Sequence, residues 1–191
     1  ALAVVLDSGR VVQIGTQLRS LPRYKAVKRH VASGILGRVS KIDIMRNTYG
    51  PRWRVREETE KIREEDTDWK RWLMNRAYRP FDPHLYFEYR IYKGFSSGII
   101  DQWMCHSTDL INFIMGVNYP ISVAAHGGTY VYRDGRENGD HCHVLIEYPG
   151  RFLVSYQTGF GNNFPGHNLI MGTNGTVEYG PSVWRVSGTG G

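Results

Sequence analysis

The chain has 191 residues, 41% hydrophobic and 13% aromatic, a length and composition that suit one domain with a sizeable core and argue against disorder. Its net charge of +6 is uneven: residues 1–90 hold 19 Lys/Arg and 11 Asp/Glu, and residues 91–191 hold 5 and 7. Most of the charge lies in mixed-sign runs such as Arg54–Asp68, the pattern of solvated surface rather than of a nucleic-acid stripe, and no apolar run is long enough to span a membrane.

In chain order, Ala1–Leu6 reads as the tail of a helix closed by Asp7-Ser-Gly9, so the expectation is a chain that begins inside a longer protein. Val11–Gly15 is a short apolar run, expected to be a buried strand. Ser20 is expected to cap a helix to about Ser33, with Pro22 in its first turn and Gly34 and Gly37 after its end. Val39–Tyr49 alternates, with Ile42, Ile44 and Arg46 on one side of a strand. Residues 50–67 are charged and irregular, Asp68–Met74 is a short amphipathic helix, and Arg79-Pro-Phe-Asp-Pro83 is turn-rich. A helix opens at Ser96 or Ser97 and runs to Met115, where Gly116 closes it.

The remainder reads as strands near 120–132, 141–148, 151–159, 167–171, 176–179 and 183–186. Asn174-Gly175 is expected to form a two-residue hairpin turn, because the primed types need positive φ. Gly172–Gly175 lies between strands, so it reads as a turn and not as a phosphate loop. The sum is an α+β fold: a largely antiparallel open sheet with helices on one face.

Three features bear on chemistry. Gln102, His106, Asp109 and Phe113 follow a 4, 3, 4 spacing and share one helical face, with Ile100, Trp103, Leu110 and Ile114 on the next. A histidine one turn from a carboxylate is either a proton-transfer pair or a plain hydrogen-bonded pair, and Asp101 in the first turn is suited to the helix dipole. His141 and His143 point the same way on a strand, but no third ligand is identifiable, so no metal site is expected. Cys105 and Cys142 read as two buried thiols.

Five segments, in order, resemble the glucose–fructose oxidoreductase/inositol dehydrogenase/MocA family. They are Val12–Ser20 with Pro22 and Tyr24, Gly34–Val39, Asp68–Leu73 with Arg79–Pro83, Ser97–Leu110 and Asn168–Thr176. The resemblance implies that residues 1–17 are the last helix and strand of a dinucleotide-binding Rossmann domain. Residues 18–191 would then be the substrate-binding and oligomerisation domain. It further implies an NAD or NADP cofactor held mainly upstream, not bound tightly by this chain alone, and a family lysine also upstream. Hydride transfer to or from a sugar or polyol hydroxyl follows, with a homodimer or homotetramer built through the sheet and a cytoplasmic setting, or export where an upstream signal directs it.

The family commonly carries an aspartate four residues before its active-site histidine. Here that position is Gln102, and Asp101 lies one residue away, a rotation of about 100° on a regular helix. On this resemblance His106 is the acid/base, Asp109 orients it, and Gln102, Arg19 and Asp101 are substrate contacts. Three readings stay open for the departure. His106 acts without the aspartate, an irregular first turn brings Asp101 in, or the usual chemistry is lost. Two alternatives accompany the dehydrogenase: a glycosidase that oxidises its sugar transiently on bound NAD, and a non-catalytic sugar-binding or assembly module.

Overall fold

A computed structural model describes residues 2–180 and 184–188. Helix α1 (Leu2–Asp7) is followed by α2 (Pro22–Ala32), strand β1 (Val39–Asn47), and three short helices α3 (Arg56–Thr59), α4 (Trp69–Trp72) and α5 (Pro83–Phe87). The long helix comes next: one π turn over Ile100–Met104 leads into α6 (Cys105–Met115). Six strands complete the chain: β2 (Ser122–Gly128), β3 (His141–Tyr148), β4 (Phe152–Gly159), β5 (His167–Gly172), β6 (Gly175–Tyr179) and β7 (Trp184–Gly188).

The strands form one open seven-stranded sheet in the order β2-β3-β4-β1-β5-β6-β7, antiparallel except where β1 runs parallel to β4. The alternation of β3 explains how it packs. Cys142, Val144, Ile146 and Tyr148 are buried, and the residues between them face outward. Register carries the same face across the sheet, through Val154 and Tyr156 of β4 to Ile42 and Ile44 of β1 and Ile170 of β5. Helices α2 and α6 cover that face with Tyr24, Val27, Leu110, Ile111 and Ile114. Residues 69–95 gather a second, aromatic cluster around Trp69, Leu73 and Leu85. Asp68 and Asp82 cap its two short helices through the backbone N–H groups of Arg71, His84 and Leu85.

Several expectations need correction. Val11–Gly15 is not a buried strand. It joins no strand among the described residues, and Val11 and Ile14 are exposed. Ser20 does not cap α2; Leu21 holds that position without a side-chain bond, and Pro22 makes the missing N–H harmless. The β5–β6 turn is Thr173-Asn174, with Gly172 facing Gly175, and neither turn residue has positive φ. The backbone N–H groups of Thr173 and Asn174 bond instead to the carbonyls of Arg38 and Leu36, so the neighbouring chain fixes this turn. Cys105 is exposed, whereas Cys142 is buried as expected. Part of the last expected strand, Val183, lies outside the described residues.

Candidate active site

The site lies where the first turn of the long helix meets the end of β1 and the irregular segment 50–55. Gly98 makes this junction. Its φ is +62°, and a Cβ there would lie 2.7 Å from Cβ of Asn138. Asn138 Nδ2 donates to the carbonyls of Arg90 and Ser96, both at 2.9 Å, and so fixes the entry to the helix and the segment carrying Arg90 together.

His106 borders two adjoining cavities, of about 520 and 380 Å³. The larger is lined by Trp53 and Trp103, which meet each other and the buried Phe160 behind them edge to face, with centroids 5.1–6.2 Å apart. Three arginines converge above it. The Arg46 guanidinium lies 4.0 Å from the Trp103 ring centroid and that of Arg52 lies 5.5 Å from it. Arg90 Nε donates to Gln102 Oε1 at 2.8 Å. Although Arg46 as a residue is exposed at the rim, its guanidinium lies against the tryptophan. Burial lowers its pKa from the usual value, Tyr156 opposes that, and Arg52 adds to it. Neither cavity is lined by a carboxylate.

The structure brings together some of the predicted site residues and separates others. Gln102 and His106 share the larger cavity. The His106 ring has no hydrogen-bond partner among the described residues. Asp109 turns to Arg19 rather than to His106: Arg19 Nε and Nη2 donate to its two carboxylate oxygens at 3.1 and 2.6 Å. Arg19 also lies over Phe113, 5.3 Å from the ring centroid, so the outer end of the predicted helical face is an anchor for the segment before α2. Asp101 is exposed. It accepts from Ser96 Oγ and from the Ser97 backbone N–H, which ties down the start of the helix outside both cavities. The irregular first turn does exist, as a π turn, but it leaves Gln102 and not Asp101 facing the cleft.

Sequence reasoning missed Arg46, Arg52, Arg90, Trp53 and Gln17 as site residues. Arg46 carried a signal, a charge in register with the buried Ile42 and Ile44. The others sit in aperiodic segments that carry none. Around His141, no group of three or more potential metal ligands comes together among the described residues. His141 Nδ1 lies 2.7 Å from Asp140, a buried carboxylate that also accepts from the backbone N–H groups of Tyr130, Val131 and Tyr132. Burial alone would raise the pKa of Asp140, and these donors together hold it below the ordinary carboxylate value.

The open, mostly antiparallel seven-stranded sheet backed by two helices is the architecture of a GFO/IDH/MocA C-terminal domain. The profile of the GFO/IDH/MocA C-terminal domain matches residues 71–178, more than half of the chain, and the chain belongs to that family. Similar solved structures include the WlbA dehydrogenase of Bordetella pertussis in complex with NADH and UDP-GlcNAcA (TM-score 0.68, 17% identity, 98% of this chain and 50% of that one). A second is the aldose-aldose oxidoreductase of Caulobacter crescentus complexed with glycerol (TM-score 0.69, 16% identity, 97% and 48%). A third is an oxidoreductase of Agrobacterium radiobacter in complex with NAD+, L-tartaric acid and magnesium (TM-score 0.60, 13% identity, 98% and 48%). At these identities the likeness is one of fold. The chain spans about half the length of each. Comparison with curated protein sequences gives no match.

Proposed function

We propose that this chain is the substrate side of a nicotinamide-dependent oxidoreductase acting on a sugar or polyol hydroxyl, with His106 as the acid/base. The observation that carries the reading is the placement of an unpartnered His106 ring and Gln102 in one cleft on the helix-bearing side of the sheet. His106 takes the hydroxyl proton at a ring nitrogen, or returns it from the protonated ring in the reverse direction. Gln102 cannot exchange protons, but its amide can hold a sugar hydroxyl while Arg90 fixes its orientation. Arg19 and Asp109 hold the segment that leads into this domain, so their role is positioning.

The residues present fit only one end of a dinucleotide. Among the described residues no glycine-rich turn joins a strand to a helix, the element that binds a pyrophosphate. The smaller cavity beside His106, bordered by Gln17, Leu18 and Leu110, suits the face of a nicotinamide ring. The cofactor, NAD or NADP, supplies the hydride chemistry when bound. Relatives of the same fold held NADH or NAD+, which supports this part of the reading. We assign residues 1–17 to the preceding nucleotide-binding domain, a reading supported by the exposure of the apolar Leu2, Val4, Leu6, Val11 and Ile14. Assembly into a dimer or tetramer through the outer sheet face is supported by exposed Leu145 and Leu153 on neighbouring strands. Among the described residues no helix is long and apolar enough to cross a membrane, and the proposed setting is the cytoplasm, where the nicotinamide pool is held.

The test uses the full-length protein with NAD or NADP and a panel of sugars and polyols. Accumulation of free reduced cofactor supports the proposal, and His106→Ala should then slow turnover by about 10²–10⁴-fold. Cleavage of glycosides without free reduced cofactor would assign the transient-oxidation glycosidase instead. Sugar binding with no turnover at all would assign a non-catalytic module.

A further inference from the structure

Elsewhere in this region buried arginines have carboxylate partners: Arg54 with Glu88 and Asp134, and Arg136 with Asp134. Arg46, Arg52 and Arg90 differ. They converge on one cleft, and none of them meets a carboxylate among the described residues. Arg46 and Arg52 lie over the Trp103 ring with their other sides exposed to solvent, and Arg90 is held by Gln102.

Concentrated positive charge over an apolar floor draws anions and repels cations. A neutral ligand would strip water from three guanidinium groups and give them only weak acceptors in return, whereas an anion satisfies them with charge-assisted bonds. We propose that this cleft recognises an anionic group on the substrate, so that the ligand is a carboxylate- or phosphate-bearing sugar rather than a neutral one. The proposal rests on the reading of this cleft as the sugar site. The planar fork of arginine matches carboxylate and phosphate alike, so the chemistry common to both is the claim. The reduced basicity that Arg46 acquires from burial and from Arg52 fits a site in which positive charge is concentrated before any ligand arrives.

The experiment is calorimetric binding to the full-length protein, with D-glucose, D-glucuronate and D-glucose 6-phosphate as matched probes. One of the two anions should bind about tenfold or more tightly than glucose, and which of them does so separates a carboxylate site from a phosphate site. Binding of that anion should weaken with added salt. Arg52→Gln should weaken it by about tenfold while leaving glucose unchanged. Arg52 is exposed and its side chain makes no hydrogen bond among the described residues, so this variant tests charge without disturbing the fold; Arg46→Lys keeps the charge and should retain most of the preference. Glucose binding as tightly as both anions, or no binding by any of the three, would overturn the proposal. So would variants that weaken all three ligands equally. Turnover is scored separately. An anion that binds but is never oxidised sinks the reaction assignment and leaves the anion site standing, and oxidation with a preference for neutral sugars does the reverse.

Discussion

Arg19 and Asp109, ninety positions apart, form a two-pronged ion pair, with Nε–Oδ2 at 3.1 Å and Nη2–Oδ1 at 2.6 Å. The pair joins the segment entering the domain to the middle of α6, one turn beyond His106. Arg19 is nearly half exposed and Asp109 mostly covered, so solvent screens the pair and its worth is about 1 kcal/mol. Asp109→Asn should lower the unfolding free energy of the full-length protein by about that amount, and the loss should shrink in high salt. If Asp109 acts only through position, KM should rise more than kcat falls. A fall in kcat as large as that of His106→Ala would show instead that Asp109 shares in proton transfer.

The cleft gives a second expectation. Gln102 stands where the family commonly has an aspartate, and its amide is engaged by Arg90. In Gln102→Asp a carboxylate one methylene shorter would face Arg90, which adds charge to the cleft and loosens the contact made by the glutamine. If His106 suffices as the proton carrier, this variant should change kcat by less than about tenfold, small beside the 10²–10⁴-fold effect of a lost acid/base. A large gain in kcat would mean that the natural glutamine limits the reaction.

Much of the scaffold was legible because periodicity records burial. Cys142, Val144, Ile146 and Tyr148 alternate at period two and all face the core, and Gly116 ends the long helix with φ +68°. The site was legible in part. Gln102 and His106 share a face because four residues span about one helical turn. Asp109 follows the same spacing, but a carboxylate takes the nearest strong donor, and Arg19 reaches it from a segment with no pattern of its own. Arg52 and Arg90 lie in irregular chain, where sequence spacing says nothing about direction. The π turn at Ile100–Met104 leaves no sequence periodicity to read. The run Val11–Gly15 looked like a strand because an apolar stretch reports only that something must cover it, not that this domain does.

The entry to the helix should be sensitive out of proportion to its exposure. Gly98 holds positive φ against Asn138, so Gly98→Ala meets both backbone strain and a clash. A loss of about 2 kcal/mol is expected, measured by urea unfolding. Asn138→Ala leaves the carbonyls of Arg90 and Ser96 without their donor, at a cost of about 1–3 kcal/mol. Both variants should raise KM, because Arg90 rides on the same junction. A KM unchanged in both would detach Arg90 from substrate binding.

The two cysteines separate cleanly by environment. Burial raises the thiol of Cys142 to about 11. The thiol of Cys105 is also raised, by partial burial first and then by Asp101 and Asp109 against two backbone donors, but the residue is exposed. Alkylation of the native protein at mildly alkaline pH should therefore label Cys105 and spare Cys142, as peptide mass spectrometry would read. The same burial has a consequence for stability. Below the unfolded thiol value, near 9, Cys142 is protonated in both states and pH has no leverage through it. Between about 9 and 11 the unfolded chain loses the proton while the folded one keeps it, so stability falls across that window. The fall from this group amounts to about 2–3 kcal/mol. Tyr148, Tyr156 and Tyr179, all raised by burial, deepen the loss at still higher pH. Cys142→Ala should remove the first part of the alkaline decline while losing some packing at neutral pH. An unfolding midpoint that stays level between pH 9 and 11 in the native chain would contradict the buried thiol.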